Sequence, residues 1–174
     1  MSDETDPTAL VRELALRKAR ALASKADPND VVLGADTIVV LDGAILGKPR
    51  DAADATAMLG ALRGRQNEVV TGVAVCANDE DIVDAVTSRV TMREYAAAEV
   101  ALYVAGGSPL DKAGAYAIQD TAFAPVADCD GCECSVMGLP LWTVARMLTR
   151  AGVRALDAPS FERCADCPER RVQP

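Results

Sequence analysis

Val31-Val32-Leu33-Gly34-Ala35-Asp36-Thr37-Ile38-Val39-Val40-Leu41 places two short aliphatic runs on either side of a polar, glycine-containing interruption. Such runs read as strand buried on both faces, as in a sheet covered by helices. A carboxylate inside that stretch is costly unless cations, hydrogen bonds or a metal compensate it. Strand-end carboxylates in α/β sheets also stand where ligand crevices form. Asp36 is therefore the first candidate for chemistry, and the competing reading is an aspartate capping a local turn.

Upstream, Asp6-Pro7 is a helix start: a capping carboxylate followed by proline at the first helical position. Leu10, Val11, Leu14, Ala15 and Leu22 recur at helical spacing from Thr8 to about Ser24. Lys18 falls on the same stripe. Either its stem covers the edge of the core while its ammonium reaches water, or it is a cation aimed into a cleft.

Downstream, Asp51 can cap a helix running to about Leu62. Glu68 to Cys76 and Ile82 to Met92 read as a strand pair, Ala96 to Ala105 as a short helix ended by glycine, and Tyr116-Ala117-Ile118 as a brief strand. A last helix is expected from Leu139 to Ala151, and an irregular polar tail from about Leu156. Helices alternating with strands around a central meander make a mixed α/β domain, spanning 1–155, with 156–174 as the tail.

Composition narrows the function. Of the 174 residues, 50% are hydrophobic and only 3% aromatic, so stacking platforms for single-stranded nucleic acid are scarce. A formal charge of −8 argues against a general phosphate-backbone binder. No apolar run approaches the roughly 20 residues of a membrane span, and the polar start is unlike a signal peptide. A cytoplasmic protein binding neither nucleic acid nor membrane is expected. With no histidine, any general base must come from carboxylates, lysines, tyrosines or thiols.

Four lysines make lysine positions informative. Lys48 in Gly47-Lys48-Pro49 and Lys112 in Asp111-Lys112-Ala113-Gly114 lie in short loops among small residues, where an ammonium can meet phosphate as a point charge. Surface lysines are also common in loops, and Pro109-Leu110-Asp111-Lys112 could be a plain turn. Gln119, at the end of the expected strand, carries an amide able to read a base edge.

Taken together, Gly34-Ala35-Asp36-Thr37-Ile38-Val39-Val40, Ile45-Leu46-Gly47-Lys48-Pro49, Val70-Thr71-Gly72-Val73-Ala74, Asp111 to Gln119 and Val136-Met137-Gly138-Leu139-Pro140-Leu141 resemble the Maf family of nucleoside triphosphate pyrophosphatases. The resemblance runs from about Glu4 to Leu148. It implies a Maf/ITPase-like elongated, twisted β-sheet flanked by helices with a central cleft. It also implies an acid-anhydride hydrolase that converts a nucleoside triphosphate to monophosphate and pyrophosphate with a divalent metal, Mg or Mn. Asp36 would accept the proton of the attacking water. Lys48 and Lys112 would hold phosphate oxygens, and Lys18 matches a family lysine, which favours its cleft reading. Glu4 and Asp111 would stand near the metal. Thr37 and Gln119 resemble the branch acting on dTTP and UTP rather than on 7-methyl-GTP, and a homodimer is implied.

Two departures from the family pattern stand out. The family opens with a strand and a Ser- and Arg-rich loop ahead of the position matched by Glu4, and this sequence holds no Ser-Pro-Arg-Arg-like segment. The expectation is a start placed too late. The alternative is a truncated, catalytically impaired nucleotide- or partner-binding protein linked to septum formation. Secondly, Cys129-Asp130-Gly131-Cys132 and Cys164-Ala165-Asp166-Cys167 form two C-x-x-C pairs separated by 31 residues. Cys129, Cys132, Cys164 and Cys167 are candidate ligands of a structural zinc that would pin the tail, with Cys134 able to substitute for one of them. The competing reading is incidental reduced thiols on a disordered tail.

Overall fold

The computed structural model describes residues 6–27, 29–77, 80–153 and 161–171, with the backbone but not the side chain of Cys164. Glu4 therefore lies outside the described residues. The described elements are α1 (Pro7–Ala23), β1 (Val32–Leu41), β2 (Ala44–Leu46), α2 (Ala52–Leu62), β3 (Gln66–Ala77), β4 (Glu80–Met92), α3 (Ala97–Ala105), β5 (Val126–Asp130), α4 (Glu133–Val136) and α5 (Leu141–Arg150), with short 3-10 turns between and after them. The strands form one five-stranded antiparallel sheet in the order β2-β1-β3-β4-β5, flanked by helices in a mixed α/β fold. Strands β1 and β2 pair antiparallel with Val40 opposite Ile45, and β4 and β5 pair antiparallel with Val90 opposite Cys129.

Local chemistry sets most of these boundaries. The Asp6 carboxylate accepts the Thr8 amide at 3.0 Å to start α1, and Asp51 accepts the Asp54 amide at 2.8 Å to start α2. Three expectations change. β1 is continuous through Gly34–Thr37 rather than interrupted there. Tyr116-Ala117-Ile118 is not a strand, because the positive φ of 61° at Ala115 turns the chain and the Tyr116 hydroxyl donates to Asn67 Oδ1 at 3.2 Å. Finally, Val126–Asp130 supplies the fifth strand instead.

The contacts divide the chain into two compact units, 1–37 with 70–87 and 131–174, and 38–69 with 88–130. In the first, β3 is buried on both faces. Val73, Val75 and Ala77 pack with Val144 and Met147 of α5, whereas Ala74 and Cys76 pack with Ala15 and Ala19 of α1. This alternation is the two-residue period of a strand and explains the apolar run from Val73 to Ala77. Two glycines allow α1 its close seat. A Cβ at Gly34 would stand 2.5 Å from the Ala15 carbonyl oxygen, and one at Gly72 would stand 2.2 Å from that of Val11. In the second unit α2 packs on α3. Its core holds the stacked Tyr103 and Phe123 rings, 4.3 Å between centroids, and the buried Tyr95, whose hydroxyl donates to the Leu59 carbonyl at 2.7 Å.

Candidate functional site

The seat of α1 on Gly34 decides the position of Lys18. One helical turn beyond Ala15, its ammonium reaches β1, donating to the Ala35 carbonyl at 3.1 Å and forming an ion pair with the Asp36 carboxylate. The Asp36 side chain is 18% exposed against 56% for Lys18. The cation thus compensates a mostly sequestered carboxylate while remaining open to solvent. Lys18 is neither a core-edge stem alone nor a free surface charge. Among the described residues it uses two of its three N–H donors, which leaves one for a ligand.

The neighbouring Thr37 is half-buried. Its hydroxyl lies 2.8 Å from that of Thr71 on β3, and Thr71 donates to the Ser135 carbonyl at 2.7 Å. Gly138 faces Thr37: a Cβ there would stand 3.5 Å from the Thr37 hydroxyl oxygen. Thr71 and Ser135 carry no role in the sequence reading. The available signal was a lone hydroxyl within Val69-Val70-Thr71-Gly72-Val73, which has to find a partner once buried.

In the second unit the Gly114 amide donates to the Gly47 carbonyl at 3.0 Å, which ties the loop bearing Lys48 to the segment bearing Lys112. Gly114 has φ 66°, and a Cβ there would press on Val39 at 3.0 Å, so glycine is needed for both its conformation and its contact. Lys112 donates to the Ser108 carbonyl at 2.9 Å and to Asp111 at 2.5 Å. The hydrogen bond and charge of Lys112, with a smaller contribution from Lys48, hold the Asp111 carboxyl below the usual range. Lys48 and Gln119 are exposed, and Gln119 stands in a turn rather than at a strand end. Lys48, Asp111 and Lys112 are thus brought into one neighbourhood.

Of the cysteines, Cys132, Cys134 and Cys167 are buried together with Val86 in the first unit, and Cys129 lies on β5 in the second. Cys134 is disulfide-bonded. Burial, reinforced by a hydrogen bond with Cys167, pushes the Cys132 thiol up to about 12. Two of the four expected zinc ligands, Cys132 and Cys167, therefore meet, and the Cys164 side chain lies outside those described. Among the described residues no group of three or more His, Cys, Asp or Glu side chains stands arranged for a metal ion.

A family profile described as Maf-like protein matches residues 1–151. The chain belongs to the Maf family. Its relatives include a protein of Koribacter versatilis, 48% identical over 148 residues that cover 85% of this chain and 76% of the relative. Another, from Symbiobacterium thermophilum, is 48% identical and covers 84% of this chain and 75% of the relative. A third, from Anaeromyxobacter dehalogenans, is 50% identical over 81% of this chain and 74% of its own length. All three are named dTTP/UTP pyrophosphatase. The Maf match covers the segments that carry Lys18, Asp36, Lys48, Asp111, Lys112 and Gln119. No helix among the described residues is long and apolar enough to cross a membrane.

Proposed function

We propose that this Maf protein hydrolyses nucleoside triphosphates, dTTP and UTP in the first place, to nucleoside monophosphate and pyrophosphate. The observation that carries the reading is the Lys18–Asp36 pair, held against β1 by the seat of α1 on Gly34. In a chain without histidine it joins a general base to a cation. Water attacks the α-phosphorus, Asp36 takes its proton, and pyrophosphate leaves with the electrons of the broken anhydride bond. Phosphoryl transfer needs chiefly positioning and charge neutralisation. Lys18, Lys48 and Lys112 supply the cations, and Thr37 and Gln119 contact the base.

A hard divalent cation commonly takes one or two carboxylates and completes its shell with phosphate oxygens and water. The Asp111 carboxylate, 78% exposed, fits that donor chemistry, and Glu4 is the second proposed donor. When bound, such a cation neutralises negative charge on the phosphate chain. Pairing of two copies rests on the family resemblance. For the cysteine-rich end, the Cys132–Cys167 contact supports a structural zinc as a separate proposal. About one zinc per purified chain would uphold it, and metal-free protein with unchanged melting would refute it.

The functional reading is tested by measuring pyrophosphate release from dTTP and UTP with Mg²⁺ or Mn²⁺. Release of one pyrophosphate for each monophosphate is expected. No hydrolysis of either nucleotide by folded protein would overturn it.

A further inference from the structure

The match to the Maf profile ends at residue 151, yet the chain continues, and its residues 161–171 belong to the first unit. Their contacts fall on the stretch 132–146. Glu169 accepts from the Thr143 hydroxyl and from Arg146, both at 3.0 Å, and Arg146 also donates to the Glu169 carbonyl at 2.6 Å. The Arg146 and Glu169 side chains are 21% and 22% exposed, so this clamp is less open to screening than a surface ion pair. Arg163 pairs with Glu133, and the Arg170 guanidinium stands 5.7 Å from the centre of the Trp142 ring. Cys167 is hydrogen-bonded to the buried Cys132. Phe161 shares an apolar hollow with Met137 and Leu139, the residues on either side of Gly138.

The stretch so held carries one wall of the candidate site. The Cys132 sulfur accepts the Ser135 amide at 3.3 Å and thereby caps α4, and the Ser135 carbonyl holds Thr71 at 2.7 Å. The Gly138 amide donates back to that carbonyl at 2.9 Å, and the turn brings Gly138 to face Thr37. Cys132 is thus a joint, with Cys167 on one side and the backbone of the wall on the other. We propose that residues 161–171 act as a strap that fixes the 132–139 wall of the nucleotide site, with Glu169 as its positioning residue. The inference rests on the pyrophosphatase reading. Packed side chains and hydrogen bonds that run without a gap from clamp to wall are a physical route for such coupling. Asp36 is held separately, by Lys18 and the seat of α1 on Gly34. Loosening the strap therefore weakens nucleotide binding and leaves proton transfer at Asp36 intact.

The test measures kcat and KM for dTTP and UTP in the full-length wild type, Glu169→Ala, Arg163→Ala and Arg150→Ala, alongside the emission of Trp142, the single tryptophan. In Glu169→Ala, KM should rise about three- to tenfold for both nucleotides, kcat should stay within about twofold, and Trp142 emission should move to longer wavelength. Arg163→Ala should raise KM in the same direction by less. Arg150→Ala, which removes only the ion pair with Glu80 on the same helix, should leave KM unchanged. An unchanged KM in folded Glu169→Ala would overturn the proposal. So would a fall in kcat at constant KM, the mark of fewer folded molecules, or an equal rise of KM in Arg150→Ala. Should Glu169→Ala not fold, Arg163→Ala decides: a raised KM supports the strap, and an unchanged one overturns it. Failure of the wild type to hydrolyse either nucleotide would strike the pyrophosphatase reading itself. The strap is then tested by the Kd for UTP with Mg²⁺, which Glu169→Ala should weaken by the same factor, and an unweakened Kd would overturn it.

Discussion

Each of the two units holds a lysine bonded to a backbone carbonyl and to a carboxylate, but the pairs are built differently. Lys112 and Asp111 are sequence neighbours, and their contact is local; Asp111 is 78% exposed. Lys18 and Asp36 are brought together across α1 and β1, and Asp36 is 18% exposed. The first arrangement needs a turn. The second needs a helix lying on bare backbone at Gly34 and Gly72. A charge pair of long range inherits the precision of the packing beneath it, and that precision is what a general base requires.

This contrast can be broken at its foundation. Gly72→Val would drive a side chain into the Val11 carbonyl, and Gly34→Val into that of Ala15. Each should cost about 3 kcal/mol of stability, measured by denaturant unfolding, and should abolish turnover at permissive temperature. Milder cuts sharpen the comparison. Lys18→Ala and Lys112→Ala should each lower kcat/KM by about 1–3 kcal/mol of binding to the phosphates. Lys18→Ala should be the more damaging, since it also strips the compensating charge from the less exposed carboxylate. Equal losses would contradict the distinction drawn between the two pairs. On the exposed face of α2, Gly60 has nothing within 4 Å of an added Cβ. Gly60→Ala should therefore raise stability by about 0.5–1 kcal/mol without touching activity.

A smaller effect tests the core beneath α1. Burial, with a hydrogen bond to Asp81, pushes the Cys76 thiol up to about 11 from an ordinary 9.0. The neutral thiol is thus favoured in the folded state. Its stabilising contribution is present below pH 9 and is lost as pH rises through 11. Mass spectrometry of native protein alkylated at pH 8 should find Cys76 unmodified, and denatured protein should label there readily.

Features set by neighbouring residues were legible in the sequence. The caps at Asp6 and Asp51, the span of α1 and the strand pair β3–β4 follow from local propensity and periodicity. Features set by tertiary contact were not. Gly34 looks like a break in β1, yet it serves the approach of a helix that only the fold supplies. Strand β5, Val126-Ala127-Asp128-Cys129-Asp130, lacks an apolar alternation because among the described residues it is an edge strand paired to β4. Asp36, Lys48 and Lys112 could be picked out as candidates from residue type and loop setting. The Lys18 stripe position admitted two readings until its ammonium was placed on Asp36. The hydroxyl relay through Thr71 depends on a carbonyl 64 residues away, and no pattern in the strand points to that partner.

The central claim is that one carboxylate, neutralised by a lysine from a helix seated on glycine, takes the proton from water. Asp36→Asn keeps the shape of that side chain but removes its ability to accept the proton. Pyrophosphate release from dTTP and UTP should fall by about 10²–10⁴-fold, with the melting transition retained. A folded Asp36→Asn protein turning over either nucleotide at close to the wild-type rate would contradict the account.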